Sequence, residues 1–558
     1  VGVVVCSFPA LTARIFMTET AARTHLVNIV FGYRQAIGLT AILVFAFGAC
    51  ARQHARPALR AMIVPAAGAG GHAWSTRALF TVGDVVGEYA PPGLLDGIGA
   101  LATENGTLRV LVTHEIAAGQ GYAYALANGT RLTGARITEF DVARRTRTVR
   151  AAALAYDGIV DRKGHVVTRP VQVNEGRGHS GTDGLNRLCS AVLVHAGTNG
   201  LRDDILFTGE EGSEGTLYAL DVSTRTLHAV PAAGRAQFEN VAPVETGDTT
   251  TVAFLMSDDN NDTPLYLYVG RRGRVDAGFL ERNGLASGDL YAWVSDSGER
   301  NADTFHGTGQ SRAGYFTRLP VFQPARAGQA GYDDAGWATM KTQHELARRA
   351  GAYALARPED IAPNPSDPLS AVFVTTGSGT RHPADTWGTV TRVDMGFTPG
   401  KILASLTIVY DGDDSGAGQF MHPDAGLRSP DNVVWSSDGD IYVQEDRATP
   451  AFGSVSGREA SIWRIDSSRG SAVRVAQIDR AAVPAGQTDT LATEIGAWES
   501  SGIVDVTDLF GAMPGQRIFL ATVQAHTLVG PALGGAGQPQ DRVEGGQLLM
   551  LLARPVPR

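Results

Sequence analysis

Six short polar motifs in this chain stand at the ends of apolar, strand-like runs. "VLVTHEIAAG" (110–119) ends its run with His114 and Glu115, and "ILFTGEEGSEG" (205–215) with Glu210 and Glu211. "FENVAP" (238–243) offers Glu239 and Asn240, "RSPDNVVWSSDGDIYVQED" (428–446) offers Asp431 and Asn432, and "LATVQAHTL" (520–528) offers Gln524 and His526. "YALARPEDIAPNP" (353–365) sets Arg357 and Glu359 on either side of Pro358. Taken singly, a carboxylate at a strand end is most often a turn or cap residue. The Glu210-Glu211 doublet is different, because adjacent acids repel unless they are solvated or share a cation. Carboxylate and amide oxygens suit hard cations such as calcium, and the scarcity of cysteine argues against zinc or iron–sulfur chemistry. Arg357 adds a planar fork able to contact two oxygens of a phosphoryl group. Proline at 358 disfavours helical dihedrals at Arg357, so the segment is expected to be extended, with Arg357 and Glu359 on one face.

Two other acidic runs lack this pattern. "DGDDSGAGQFMH" (411–422) begins like a helix–loop–helix calcium loop, with Asp411, Asp413, Ser415 and Gly416, but its twelfth position is His422. A bidentate Glu is needed there, so the motif fails. "SDDNNDTP" (257–264) reads as a solvated loop. There is no Gly-x-Ser-x-Gly elbow, no His-Glu-x-x-His helix and no phosphate-cradling Gly-rich loop, so covalent serine catalysis has no support and metal-assisted hydrolysis does.

The elements that must position these motifs are short strands. "ARITEFDVARRTRTVR" (135–150), "GTLYALDVSTRTLHAV" (215–230) and "ASIWRIDSSRGSAVRV" (460–475) share one form, and "GTVTRVDMGFTPGKILASL" (388–406) is a longer version. Each is an alternating strand, an acid, a polar turn and a second strand. Repeated hairpins of this kind predict an all-β fold, a β-propeller ahead of a pair of β-sandwiches. One helical insertion is expected at 333–356, ended by Pro358. A propeller converges its inner strands on a central channel, which is where scattered strand-end acids could meet.

At 558 residues, with 43% hydrophobic and 19% charged residues, the chain has a globular composition. The net charge of −9, without basic clusters interleaved with aromatics, excludes a nucleic-acid partner. Residues 1–50 read as an export signal: Arg34 precedes the apolar "QAIGLTAILVFAFGAC", whose ending is of lipoprotein type, with Cys50 as the acylated residue. A single membrane anchor is the alternative. Residues 51–75 read as a flexible tether and 76–556 as the propeller. This predicts an exported monomer, periplasmic or at the cell surface, attached to the membrane only through its N-terminal lipid or anchor. Cys189 would then be the one cysteine of the folded domain, and its apolar setting in "LNRLCSAVLV" reads as a buried, inert thiol.

As an ordered set, "LLDGIGAL", "VTHE", "RLCSA", "FTGEEGSEG", "GRAQFENV", "LYLYVG", "ARPEDIAPNP", "SPDNVVWSSDGDIYVQED" and "VQAHT" resemble the PhoX-type alkaline phosphatases and their phytase-like relatives. The resemblance implies a propeller of about six blades whose channel holds calcium, and in characterised members iron, for hydrolysis of small phosphorylated substrates outside the cytoplasm. It implies metal ligation by Glu115, by Glu210 or Glu211, and by Glu359, with phosphate binding by Arg357. Asp431 and Asn432 become ligands or their supports, and Asp96 a further ligand. His114, Glu239, Asn240, Gln524 and His526 would support the site. Two departures stand out. Thr113 replaces the family's Asn before His-Glu. The family's iron-binding cysteine is expected near "LLDGIGAL", where this chain has none, which favours calcium over iron. The alternatives are a calcium-stabilised propeller that binds without turnover, and a propeller esterase or lactonase using His526 or His114 as acid and base.

Overall fold

The computed structural model of the protein describes residues 60–67, 72–173 and 184–555. The expected export signal and Cys50 lie outside the described residues. Among those residues, no helix is long and apolar enough to cross a membrane.

Six antiparallel four-stranded units follow one another along the chain. Their innermost strands are Leu95–Ala102, Leu188–Val194, Phe238–Val244, Pro358–Pro363, Pro430–Trp435 and Glu499–Asp505. Each packs against the next and the sixth against the first, so the fold is a six-bladed propeller around a channel. Aromatic pairs join neighbouring blades. Phe207 and Phe254 connect blades 2 and 3 with ring centres 4.9 Å apart, and Tyr442 and Phe519 connect blades 5 and 6 at 4.5 Å.

The four similar hairpins of the sequence are the outer two strands of blades 1, 2, 4 and 5. Their even spacing is broken because blade 3 carries an added strand, Ser311–Leu319. That strand pairs with Lys401–Asp411 of blade 4 and fuses the two blades into one sheet. The ring closes with strands from both ends of the described chain. His72–Thr81 forms the outer edge of blade 6 on Gly545–Pro555, and Ile63–Pro65 adds to the edge of blade 5. The expected tether at 51–75 is therefore too long, since residues 63–65 and 72–75 are already propeller strands.

The helical insertion is also shorter than expected. Only Met340–Arg349 is helical, with Thr339 as its N-cap. Eight residues separate the helix end from Pro358. Gly351, at φ +80°, donates to the Arg348 carbonyl, and Ala352 to the Ala347 carbonyl at 3.0 Å. This glycine-centred double cap satisfies the last carbonyls and ends the helix without help from the proline.

One irregularity recurs around the channel. In blades 1 to 5 the inner strand sets two residues against one of its neighbour. The doublets are Asp96-Gly97, Cys189-Ser190, Glu239-Asn240, Glu359-Asp360 and Asp431-Asn432. Such a bulge bends the strand and re-aims its side chains. Blade 6 shifts its register later, at Gly502, while Glu499 pairs regularly with Gln524. Gly97 is required by close approach, because a Cβ there would lie 2.1 Å from the Ala191 amide nitrogen of the next blade.

Candidate metal centre at the channel mouth

Five bulge residues, Asp96, Cys189, Glu239, Glu359 and Asp431, and the regularly paired Glu499 make a ring with one side chain from each inner strand, all buried. A second tier comes from the outgoing end of each blade's second strand. There the chain presents doublets, and register separates their roles. The first member faces the blade. His114 contacts the Gly93 carbonyl and Thr138, Glu210 accepts from the Asn186 amide, and Glu445 accepts from the Arg428 and Ser461 amides and the Trp463 indole. The second member, in Glu115, Glu211, Asp259, Thr376, Asp446 and His526, stands at the inner ring. This resolves the Glu210-Glu211 doublet in favour of Glu211 as the channel residue.

Three groups bring their donor atoms within 4.8 Å of one another: Asp96, Glu115 and Cys189; Cys189, Glu211 and Glu239; Glu239, Glu359 and Asp431. Cys189 links the first two. Its Sγ lies 3.5 Å from Asp96 Oδ2: the thiol is buried as expected, but carboxylates as well as apolar side chains surround it. A sulfur does sit beside the "LLDGIGAL" strand, supplied by the neighbouring blade.

Two arginines stand among the acids. Arg357 donates to both oxygens of Asp259 at 2.8 Å and meets Glu359 Oε1 at 3.0 Å. Arg187 ties Glu115 to Glu211, with Nε 3.0 Å from Glu211 Oε2. Arg357 reaches this position differently from the extended geometry expected of it. Its φ is +57°, in the left-handed region, and Leu94, Arg187 and Ser429 are alike at +51°, +43° and +43°. Each stands two residues before a ring residue. The kink and the bulge together, rather than strand alternation, bring Arg357 and Glu359 to one place, and such backbone costs about 1–3 kcal/mol per residue. The "SDDNNDTP" run is likewise no solvated loop at its start: Asp258 and Asp259 are buried, and His344 Nε2 lies 2.7 Å from Asp258 Oδ2.

The remaining candidates hold the ring in place. Gln524 donates to Asp96 at 2.8 Å and to Glu115 at 2.9 Å. Asn432 donates to Asp96 at 3.4 Å. Asn240 spans three blades, donating to Asp360 at 2.6 Å and Ser190 at 3.1 Å. Thr113, where the family has Asn, donates to the Cys189 carbonyl at 2.7 Å. Below this layer, the channel widens into a cavity of about 390 Å³ lined mostly by apolar inner-strand residues.

The electrostatics follow from burial. Desolvation pushes Asp96, Glu211, Glu239, Glu359 and Asp431 well above the usual carboxylate range, and neighbouring carboxylates add to it. Glu499 is pushed up to about 7 by burial and by Asp446. Burial drives His114 down to about 3, and both its nitrogens are engaged, so it is a neutral prop and no acid/base candidate. Burial alone would lower His526 too, but its contacts with Glu499 and Glu544 raise it well above an ordinary histidine. Among the described residues, Glu239 Oε1, Asn432 Oδ1 and Gln524 Oε1 are buried without a donor. Orphaned oxygens among mutually repelling acids are the environment that hard cations satisfy.

Asp259, Asp446, Glu499 and the role of Cys189 were missed in the sequence. The signal that would find them is the blade alignment itself, which sets each second-strand doublet opposite an inner-strand bulge.

Residues 218–502, just over half of the chain, match the family model described as alkaline phosphatase PhoX. No curated protein sequence matches the chain. Among solved structures, the fold is similar to Pseudomonas fluorescens PhoX in complex with vanadate, a transition state analogue. The TM-score is 0.57 at 16% identity, covering 89% of this chain and 97% of that one. A Pseudomonas brassicacearum lignostilbene dioxygenase aligns at a TM-score of 0.32 and 8% identity, over 83% of this chain and 93% of that one, and has no bearing on the site. With the family model spanning the ring from blade 2 to blade 6, the protein belongs to the alkaline phosphatase PhoX family of phosphoric monoester hydrolases.

Proposed function

We propose that this protein is an exported, metal-dependent phosphatase that hydrolyses phosphate monoesters at the channel mouth. The observation that carries the reading is the convergence of Arg187 and Arg357 on a ring of buried acids. The similar Pseudomonas fluorescens PhoX is described in complex with vanadate, a transition state analogue, which supports the phosphatase reading. Glu239, Glu359 and Asp431 form an all-oxygen set that suits calcium. Cys189, with Asp96 and Glu115 on one side and Glu211 and Glu239 on the other, adds a softer sulfur donor that suits iron. Cations held by these side chains would supply Lewis-acid polarisation of a phosphoryl oxygen and would lower the pKa of a water bound there.

The chain's own residues do the positioning. Arg357 engages Asp259 and Glu359 through Nε and Nη2, and Arg187 engages Glu115 and Glu211 through the same two atoms. Each keeps Nη1 for a phosphate oxygen. The arginine side chains are 30% and 44% exposed, enough to meet substrate while Asp259, Glu359 and Glu211 stay buried and Glu115 is partly so. Fixed donors at that place stabilise charge gathering on the equatorial oxygens without reorganising. Gln524 and Asn432 orient Asp96, and Asn240 locks blades 2, 3 and 4 beneath the ring. His526, held as a cation by two glutamates, is the group placed to give a proton to the leaving oxygen.

Hydrolysis of 4-nitrophenyl phosphate, measured with calcium, without it and after chelation, tests the reading. Folded protein inactive under every metal condition overturns it. Export as a lipid-anchored monomer is the accompanying proposal, supported by the "FGAC" ending. Loss of membrane association on Cys50→Ser checks it.

A further inference from the structure

We propose that the arginine-lined pocket beside Arg357 is a subsite for a second anionic group, so that the enzyme favours phosphomonoesters carrying another phosphate; this rests on the phosphatase reading above. The pocket has a volume of about 550 Å³ and is lined by Arg300, Arg348, Arg349, Arg381, His344 and Asp262 among others. Four guanidinium groups converge there in a protein whose net charge is −9. Some are already paired. Arg381 meets Asp262, Arg349 lies 3.6 Å from Glu345, and His344 lies 2.7 Å from Asp258. Arg300 and Arg348 have no ion pair among the described residues, so the pocket keeps an excess of positive charge.

Its location ties it to the mouth. Asp259, which Arg357 clasps, and Asp262, which Arg381 clasps, lie three residues apart on the loop joining the second and third strands of blade 3. In the same loop Asn261 pairs with Ala356, the residue before Arg357. The pocket's other wall is the helix Met340–Arg349, the insertion that the ring chemistry does not use.

Arg300 is also held in place. Its Nη1 donates to the Gly351 carbonyl at 2.5 Å, and a Cβ at Gly351 would lie 2.0 Å from that nitrogen. The glycine that ends the helix is thus what allows Arg300 to lie across it. A preset guanidinium loses less entropy on meeting an anion, and its fork matches a phosphate.

The test compares Arg300→Gln/Arg348→Gln with wild type on fructose 1,6-bisphosphate and 4-nitrophenyl phosphate. Loss of two charge-assisted contacts should raise the ratio of the bisphosphate KM to the nitrophenyl KM about tenfold. A ratio within about twofold of wild type overturns the subsite. If wild type hydrolyses neither ester, the phosphatase reading fails separately, and calorimetry with fructose 1,6-bisphosphate decides the subsite. A Kd about tenfold weaker in the variant supports it, and an equal Kd overturns it.

Discussion

Arg357 and Glu359 meet at 3.0 Å across a left-handed kink, a bulge and a proline, with Asp259 from the preceding blade closing the other side of the guanidinium. The contact is partly buried and shared by two acids, unlike an exposed pair worth little. Arg357 stays charged because the pull of Glu359 and Asp259 outweighs a burial that would lower its pKa.

Replacing Arg357 by alanine should therefore cut kcat/KM by about 10²–10³, the range for losing one preset donor at a charged transition state. Arg357→Lys restores the charge without the fork and should recover only a small part of the loss. Steady-state kinetics on 4-nitrophenyl phosphate, with circular dichroism to confirm folding, checks this. Full activity in a folded Arg357→Ala variant would return the residue to a structural role.

The failed calcium-loop motif gives a pH prediction. Asp411 and Asp413 do not form an ion loop but accept backbone amides, Asp411 from Gly307 and Asp413 from Thr386 and Trp387. Burial raises Asp413 to about 6, and Asp411 adds to the shift. The folded state thus binds this proton more tightly than the unfolded state, near 3.8. That contribution is full below the unfolded value and is lost as pH rises to about 6. Denaturation of Asp413→Asn against wild type, from pH 4 to 7, should show the variant gaining relative stability up to about pH 6 and then levelling. A difference that is flat with pH contradicts the assignment.

What the sequence showed of this architecture depended on how local the cause was. The hairpins of blades 1, 2, 4 and 5 were legible because turn chemistry and alternation are local. The strand Ser311–Leu319 was not, since its partners include Lys401–Asp411, some ninety residues away in a different blade. The strand-end acids Glu115, Glu211, Glu239, Glu359 and Asp431 were recognisable as candidates, but their convergence needs the closed ring. The burial of Cys189 was legible but its acidic surroundings were not, for the same reason: its neighbours in sequence are apolar, while its neighbours in space include Asp96 and Glu239. The helix end was misplaced because Pro358 was weighed ahead of Gly351, which supplies the left-handed residue that the cap requires.

Cys189 separates the two kinds of metal position. As a bare thiol it is kept neutral by burial and by the surrounding acids, so only a thiophilic cation would draw it to thiolate. Cys189→Ala should lower the transition-metal content of the purified protein while calcium bound by Glu239, Glu359 and Asp431 remains. Elemental analysis of both proteins is the measurement, and iron content equal in the two would remove sulfur from the ligand set. A change confined to one small side chain should alter stability by no more than about 1 kcal/mol.

The Glu210-Glu211 doublet offers the sharpest separation of fold from function. Glu210 is fully buried and accepts the Asn186 amide at 2.9 Å. Glu211 faces Arg187 and the Cys189–Glu239 group. Glu210→Ala leaves the partly buried Asn186 amide without this acceptor and should cost about 1–3 kcal/mol by chemical denaturation. Glu211→Gln keeps the shape but removes a charge from the cation-binding side. It should leave unfolding of the chelated protein nearly unchanged, or slightly raise its midpoint, because one repelling carboxylate is gone. Its cost should appear as weaker rescue by calcium and lower phosphatase activity. Reversed outcomes, with Glu211 structural and Glu210 controlling calcium rescue, would mean that the register at the end of this strand is off by one residue, which turns every side chain to the opposite face.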